Sequence, residues 1–335
     1  MSVDLPLVWG GIIAFAVFMY VLMDGFDLGL GILFPFLRSE EDRDVAMNTV
    51  APIWDGNETW LVLGGVALLG VFPVAYAVLL PAFYLPLLIM LIALIFRGVA
   101  FEFRFKVDTH KRRWNHAFFF GSLLATFAQG LVLGAFIQGI PHDGRQYTGG
   151  ALHWLTPFAL MTGCALVAGY ALLGATWLIA KTEGALHEWA HDAALRLMGA
   201  VVAFMGIVSL WVPFLDTEIA ARWFAWPNIL YLSPVPILVA LVSLGLFRAI
   251  KAREHYTPFL LALSLFVLGY AGLAISLFPN VVPPDISIWE ASSPPETQGF
   301  MLVGVLIMLP VILDYTAYTY WVFRGKVAED VGYHD

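Results

Sequence analysis

Charged residues interrupt the first three long apolar stretches of this sequence at regular spacings. They are Asp24, Asp27, Asp55, Glu58, Arg97 and Glu102. Two pairs of acids are three residues apart, which places both carboxylates of each pair on one face of a helix. Ionisable groups inside a bilayer are costly and therefore point to function, and desolvated carboxylates exchange protons near neutral pH. The pattern indicates a proton entrance at one membrane face.

A purely structural role explains the same residues in a different way. The acids would then form ion pairs with Arg97, and Glu102 would join Arg97 as a supporting pair. Asp55 follows Pro52 and would serve as the N-terminal cap of the second stretch. Glu58 and Glu102 lie nearer to water, where structural roles are more common. The residues alone leave both readings open.

The composition places the chain in the membrane. Of the 335 residues, 60% are hydrophobic and 13% are charged, whereas an average soluble domain has about 25% charged residues. No basic cluster suited to nucleic acid is present. The single cysteine, Cys164, excludes an internal disulfide and a cysteine-rich iron–sulfur or zinc site. The solvent for most of the chain is therefore lipid.

The apolar stretches predict an all-α integral membrane fold with nine transmembrane helices in one polytopic domain, 1–335. Each stretch offers about the 20 residues that a membrane-spanning helix needs. The predicted spans are 7–37, 52–76, 78–101, 117–140, 153–180, 197–215, 229–250, 257–278 and 299–323. Two four-helix bundles plus one extra helix would accommodate them. Gly25 and Gly29, four residues apart in the first span, predict close helix packing.

The distribution of basic residues predicts the orientation of these spans. Of the 17 Lys and Arg residues, fourteen fall in loops after odd-numbered spans or in the C-terminal tail. Only Arg145 and Arg222 fall on the opposite side, and Arg97 lies inside a span. Basic residues concentrate in cytoplasmic loops. We therefore expect an outside N-terminus, a cytoplasmic C-terminus and an odd number of spans.

The histidines indicate that this chain does not hold a haem by itself. A haem buried in a helix bundle usually takes a His ligand from inside a span. All eight histidines fall in loops or at span ends. His187 and His191 are four residues apart and could hold a metal ion, but a solvated loop helix explains that spacing as well. We expect no metal site.

The first 110 residues resemble subunit II of the cytochrome bd family of quinol oxidases. The resemblance rests on the DGFDLG segment that begins at Asp24, the APIWDGN segment that begins at Ala51, and the FRGVAFE segment that begins at Phe96. Trp60, Pro73 and Tyr76 add to it. The short loops and the GNETW form of the second motif resemble the cyanide-insensitive branch of the family.

The resemblance implies a partner, subunit I, that carries two b-type haems and haem d, binds quinol and reduces dioxygen to water. This subunit would stabilise its partner and form part of a path for cytoplasmic protons. Asp55 would then be the main relay, supported by Asp24, Asp27 and Glu58. The implied location is the bacterial plasma membrane, in contact with lipid. A structural quinone on this subunit and small single-helix subunits occur in some family members.

Two other classes fit a polytopic chain with buried acids. A proton-coupled secondary transporter would use the acids to couple proton movement to a substrate, and often shows broken helices in corresponding positions of two halves. Here the acids crowd into the first three spans, without a counterpart in the second half. A purely structural anchor is the third class.

Overall fold

The computed structural model describes residues 3–106 and 111–327, and its fold is all-α, as predicted. The helices are α1 (Leu5–Leu33), α2 (Glu40–Asn48), α3 (Trp54–Val71), α4 (Pro73–Arg104), α5 (Lys111–Ile137), α6 (Pro157–Lys181), α7 (Gly184–Leu215), α8 (Thr217–Phe224), α9 (Asn228–Leu232), α10 (Pro234–Lys251), α11 (Thr257–Leu277) and α12 (Pro295–Val322). A 3-10 turn, Phe34–Phe36, follows α1. A short antiparallel hairpin, β1 (Asn280–Val282) and β2 (Ile286–Ser287), precedes α12.

Eight helical segments in the described part of the chain are long and apolar enough to cross a membrane. They are formed by α1, α4, α5, α6, α7, α9 with α10, α11 and α12. The remaining long helix, α3, has 18 residues and a length of about 27 Å, but its first turns are polar. It runs antiparallel to α1, since Asn57 contacts Met23 whereas Gly64 lies against Val17. We propose α3 as the ninth span.

The helix boundaries differ from the predicted spans at three places. The chain reverses at Phe72, and α4 begins at Pro73, so the predicted 52–76 span extends too far. Proline suits the first helical position because the amide hydrogen that it lacks would have no partner there. The helix α7 begins well before the predicted 197–215 span, and the predicted 229–250 span is divided between α9 and α10.

The contacts between loops and helix ends form two groups, one at each side of the bundle. At one side the loops after odd-numbered spans meet, through Lys326–Glu183 (3.0 Å), Arg253–Asp192 (3.3 Å) and Arg104–Glu40 (3.1 Å). At the other side the loops after even-numbered spans meet, through Trp289–Asp4 (3.1 Å), Ile140–Pro283 (3.0 Å) and Ser293–Val71 (2.7 Å). This division matches nine crossings that include α3.

The helix α1 runs through the interior and packs on α3, α5 and α6. A Cβ atom on Gly29 would overlap the carbonyl oxygen of Tyr170, and one on Gly25 would lie 2.9 Å from the Tyr170 ring. The close packing predicted for Gly25 and Gly29 is therefore confirmed. It brings the acids of α1 into the centre of the protein, where Asp24 and Asp27 are fully buried.

Most of the remaining helices pack against the helix that follows them in the sequence. In this order α4 packs on α5, α5 on α6 and α6 on α7, while α11 packs on both α10 and α6. The last helix, α12, lies at the margin against α3 and α1, and Gln298 is the only one of its 28 residues that is buried. The division into two four-helix bundles with one extra helix stays a prediction.

Candidate functional site

A buried ion-pair cluster joins α1 to α4. Arg97 Nη1 lies 2.8 Å from Asp24 Oδ1, and Arg97 Nη2 lies 3.7 Å from Asp27 Oδ2. All three side chains have no solvent exposure. The two carboxylates meet one guanidinium because they are three residues apart on the same face of α1. A buried charge is tolerated only when it is paired in this way.

The cluster holds more carboxylates than positive charges. Glu58, on α3, is the third acid, with Oε2 3.6 Å from Arg97 Nη1 and a side chain that is 27% exposed. One guanidinium neutralises one carboxylate. If both buried carboxylates were ionised, one of them would have no positive partner, and this would destabilise the folded protein by roughly several kcal/mol. A proton on that carboxyl group removes the charge, so the cluster is suited to binding and releasing a proton.

Amide and phenol side chains complete the surroundings of Asp27. Asn57 Nδ2 donates to Asp27 Oδ2 (2.8 Å) and to the carbonyl oxygen of Met23 (3.3 Å). The Tyr320 hydroxyl, from α12, donates to Asn57 Oδ1 (2.9 Å). Asn57 stands within the WDGN segment, but its sequence position gives no sign of a role. Its function is to bridge α3, α1 and α12 at the level of the cluster.

Asp55 lies outside this cluster, on the exposed face of α3. It occupies the first turn of the helix, about one turn before Glu58. The capping interpretation is wrong, because the N-cap of α3 is Ile53 and no side chain caps that end. Asp55 is therefore an exposed carboxylate next to a half-buried one, and Glu58 connects it with the interior.

The predicted ion pair between Arg97 and Glu102 is not formed. Five residues apart on a helix place two side chains about 140° from each other around the axis. Glu102 instead pairs with Lys106 on the surface of α4, with 3.0 Å between Nζ and Oε2 and both side chains more than half exposed. The true partners of Arg97 are Asp24, Asp27 and Glu58.

A second ionic network lies at the same end of the bundle and joins the loop helix α2 to α4 and α5. Arg104 is fully buried and contacts Glu40 (3.1 Å), Asn115 (2.6 Å) and Asp44. Burial alone would raise the pKa of Glu40, but hydrogen bonds from Asn115 and Arg43 outweigh it and hold that pKa below its usual value. The sequence places Arg104 in a loop, whereas it ends α4, about 10 Å along the helix from Arg97.

Comparison with known proteins identifies the family. The profile described as "Cytochrome bd terminal oxidase subunit II" matches residues 5–323. The chain belongs to this family. It is 28% identical to the cytochrome bd-I ubiquinol oxidase subunit 2 of Escherichia coli, over 97% of this chain and 96% of that protein. It is 30% identical to the cytochrome bd ubiquinol oxidase subunit 2 of Bacillus subtilis, over 92% of this chain and 93% of that protein.

The fold agrees with this assignment. A chain in the structure of the bd oxidase from Geobacillus thermodenitrificans superposes with a TM-score of 0.79 at 15% identity, covering 96% of this chain and 99% of the other. As a cytochrome bd subunit II, the chain is a membrane-embedded part of an oxidoreductase complex with a subunit I partner. The complexes of this family contain haem.

His187 and His191 contact each other at the start of α7. His187 and His191 are buried in the first turns of α7, so the expectation of a solvated loop helix is wrong. His187 Nδ1 contacts the Ile179 carbonyl oxygen (3.0 Å), and its Nε2 contacts His191 Nε2 (3.2 Å). Both ring nitrogens of His187 therefore face protein atoms. Within residues 3–106 and 111–327, no three His, Cys, Asp or Glu residues are grouped to hold a metal.

Proposed function

We propose that this chain supports the haem-bearing subunit I of a quinol oxidase and carries part of the path by which cytoplasmic protons reach the oxygen site. The relatives from Escherichia coli and Bacillus subtilis are named as ubiquinol oxidase subunits, and we propose quinol as the electron donor here too. Subunit I would hold two b-type haems and haem d and reduce dioxygen to water with four electrons.

The observation that carries this proposal is the excess of carboxylates around Arg97. Asp24 and Asp27 are fully buried beside one guanidinium, and Glu58 extends the cluster to the rim of the protein. Asp55 stands one turn further out, on the exposed face of α3. Protons would pass between the surface and the interior through this row of acids, since each carboxyl group can bind and release one.

Two exposed acids on α3 and α12 support the assignment of a protein partner. Asp55 on α3 and Asp314 on α12 are both exposed, and Tyr320 of α12 is bonded to Asn57 of α3. An acid that faces lipid costs up to about 2.5–3.5 kcal/mol, the value at the centre of a membrane-spanning helix. A protein surface of subunit I would remove this cost by covering these acids.

The orientation follows from the basic residues. We propose that the side with Arg104, Arg253 and Lys326 faces the cytoplasm of a bacterium, because basic residues concentrate there. The acids Asp55 and Glu58 lie toward that side. Proton uptake from the cytoplasm, combined with proton release from quinol outside, would generate a proton-motive force without a pump.

Replacement of Asp55 tests the path directly. Asp55→Asn keeps size and hydrogen bonding but removes the exchangeable proton, so quinol-driven oxygen consumption should fall while the haem spectrum stays intact. A lost acid–base group costs at most about 10²–10⁴-fold, and Asp55→Glu should restore part of the rate. The matched control is Asp314→Asn, which removes an exposed acid from α12 instead of α3.

Three outcomes separate the explanations. Lower turnover in Asp55→Asn alone, with haem content unchanged, supports the path. Loss of haem from both variants would assign Asp55 and Asp314 to assembly. Full turnover with normal proton uptake in Asp55→Asn would remove this residue from the path. Purification of the wild-type chain with its partner should give a haem d spectrum, whereas the chain expressed alone should be colourless.

A further inference from the structure

Asn57 makes the one hydrogen bond that either buried acid accepts among the described residues. Its Nδ2 lies 2.8 Å from Asp27 Oδ2, whereas Asp27 Oδ1 and both carboxylate oxygens of Asp24 have no hydrogen-bond partner there. Asn57 is 1% exposed, and it stands between Asp55 and Glu58 in the sequence. A side-chain amide donates and accepts hydrogen bonds but has no acid proton to give up. Asn57 can therefore affect proton transfer only through Asp27.

The orientation of the Asn57 amide is set by its other two neighbours. Asn57 Nδ2 also donates to the carbonyl oxygen of Met23 (3.3 Å), and Asn57 Oδ1 accepts from the Tyr320 hydroxyl (2.9 Å). A backbone carbonyl can only accept a hydrogen bond, so the amide nitrogen must face Met23. A reversed amide would place two acceptor oxygens against each other in the protein interior, which is destabilising. The same nitrogen therefore faces Asp27 as a donor.

This orientation distinguishes the two oxygens of Asp27. Both hydrogens of Asn57 Nδ2 are donated, one to Met23 and one to Asp27 Oδ2, and Arg97 Nη2 lies 3.7 Å from the same Oδ2. In a protonated carboxyl group the carbonyl oxygen is a better acceptor than the hydroxyl oxygen. A donor and a positive charge at Oδ2 therefore favour the carbonyl form of that atom, and a proton on Asp27 belongs on Oδ1.

We propose that Asn57 is a positioning residue of the proton path, which directs the proton of Asp27 to Oδ1 and eases its release. Hydrogen bonds donated to a carboxylate favour its ionised form, so the bond from Asn57 strengthens as the proton leaves. Tyr320 supports the same effect from α12, because hydrogen bonds in a chain polarise one another. The inference rests on the proposed proton path, to which it adds two residues that carry no proton themselves.

Other charged and titratable groups also act on Asp27, from its own helix and from three neighbouring ones. They are Asp24 on α1, Glu58 on α3, Arg97 on α4 and Tyr320 on α12. Tyr20 and Tyr170 in turn interact with Asp24. The substitution Asn57→Leu has a similar volume and leaves all of these groups in place. A change in the behaviour of Asp27 in this variant therefore reports the loss of the hydrogen bond.

Infrared difference spectroscopy of the purified complex, recorded across a range of pH, tests the position of the proton. A protonated carboxyl group has a C=O stretching band that disappears when its proton leaves, and the Asp27 band is the one lost in Asp27→Asn. A hydrogen bond to the carbonyl oxygen lowers the frequency of this band. Asn57→Leu should therefore raise the frequency of the Asp27 band and keep the band to a pH about one to two units higher.

Two further variants supply the control and the milder change. Asn115→Leu also removes an amide that donates to a carboxylate, that of Glu40 (3.0 Å) in the second ionic network, and should leave the Asp27 band unchanged. Tyr320→Phe keeps the Asn57 amide and should shift the band in the same direction as Asn57→Leu, but by less. Since Tyr320 acts through Asn57, Tyr320→Phe should add no shift when combined with Asn57→Leu.

The outcomes distinguish this inference from the proton path on which it rests. An Asp27 band with wild-type frequency and pH dependence in Asn57→Leu would overturn the inference, as would the lack of any band that is lost in Asp27→Asn. Equal shifts in Asn57→Leu and Asn115→Leu would also overturn it, because the effect would then be a general loosening of the bundle.

The proton path can fail separately. Normal proton uptake in Asp55→Asn, together with a shifted band in Asn57→Leu, would remove the path through Asp55 but keep Asn57 as the residue that places the proton on Asp27. Slower uptake in Asp55→Asn with an unshifted band in Asn57→Leu would leave the path intact and overturn the role of Asn57.

Discussion

The replacement of Arg97 by methionine is the most severe test of the buried cluster. Methionine has a similar length but no charge, so Arg97→Met removes the partner of Asp24 and of Asp27 while it fills most of the space. Arg97 Nη1 and Asp24 Oδ1 are 2.8 Å apart, and neither side chain has solvent exposure. The variant therefore leaves buried acids without a positive charge.

The expected loss of stability is large. Removing one partner from a buried ion pair costs about 3–5 kcal/mol, which raises the unfolded fraction by a factor of about 100 to several thousand. Lys106→Met, just beyond the C-terminal end of α4, offers a matched control. It breaks the pair between Lys106 and Glu102, which has a similar distance of 3.0 Å but more than half-exposed side chains. Exposed pairs of this kind contribute about 0–1 kcal/mol.

The assay measures recovery and thermal unfolding of the detergent-purified complex. Arg97→Met should sharply reduce recovery and lower the unfolding temperature, whereas Lys106→Met should behave like wild type. The double variant Arg97→Met with Asp24→Leu should recover much of the loss, because it removes both charges and leaves a protonated Asp27. Wild-type stability of the single Arg97 variant would refute the claim that this guanidinium neutralises the buried acids.

Three further predictions follow from the fold and its surface. A reporter active only outside the cytoplasm should be active when inserted near Gln146 and silent when fused after Asp335; activity at the C-terminal fusion would contradict the nine-span orientation. Because the pKa of Glu40 is held below its usual value, its contribution to stability is present at neutral pH and fades as the pH falls through that lowered pKa. Unfolding of wild type and Glu40→Gln, compared from pH 7 to pH 3, should therefore converge at low pH. Gly29→Ala should impair assembly, because its Cβ would overlap the backbone of α6, whereas Gly65→Ala, which meets no atom within 4 Å, should assemble normally.

The sequence predicts the class of fold and most of the charged cluster. Long apolar stretches leave the helix as the only structure that satisfies the backbone in lipid, and the spacing of Asp24 and Asp27 predicts their shared face. Ion pairs between Arg97 and these acids are one of the two interpretations that the sequence leaves open, whereas its supporting pair of Arg97 with Glu102 is not formed. The end of α3 at Phe72 is harder to predict. The chain reverses direction there within apolar residues, so the hydropathy does not change at the turn.

The buried hydrogen bonds that join Tyr20, Gln129 and Tyr170 could not be predicted from the sequence. Gln129 lies 109 residues from Tyr20 and 41 residues from Tyr170, and each is an isolated polar residue in an apolar stretch. Only the packing of α1, α5 and α6 brings them together. The same holds for Arg104, whose position at a predicted span end is typical of a solvated charge, although its side chain is fully buried.

The central claim is that this subunit delivers cytoplasmic protons to the oxygen site, and proton uptake in a single turnover tests it most directly. The complex is reconstituted into vesicles with its cytoplasmic side facing a pH-sensitive dye, and wild type is compared with Glu58→Gln, which removes the acid between Asp55 and Arg97. We predict that proton uptake slows at least about tenfold while electron transfer to the haems keeps its wild-type rate. Wild-type proton uptake in Glu58→Gln, with full oxygen turnover, would contradict the account.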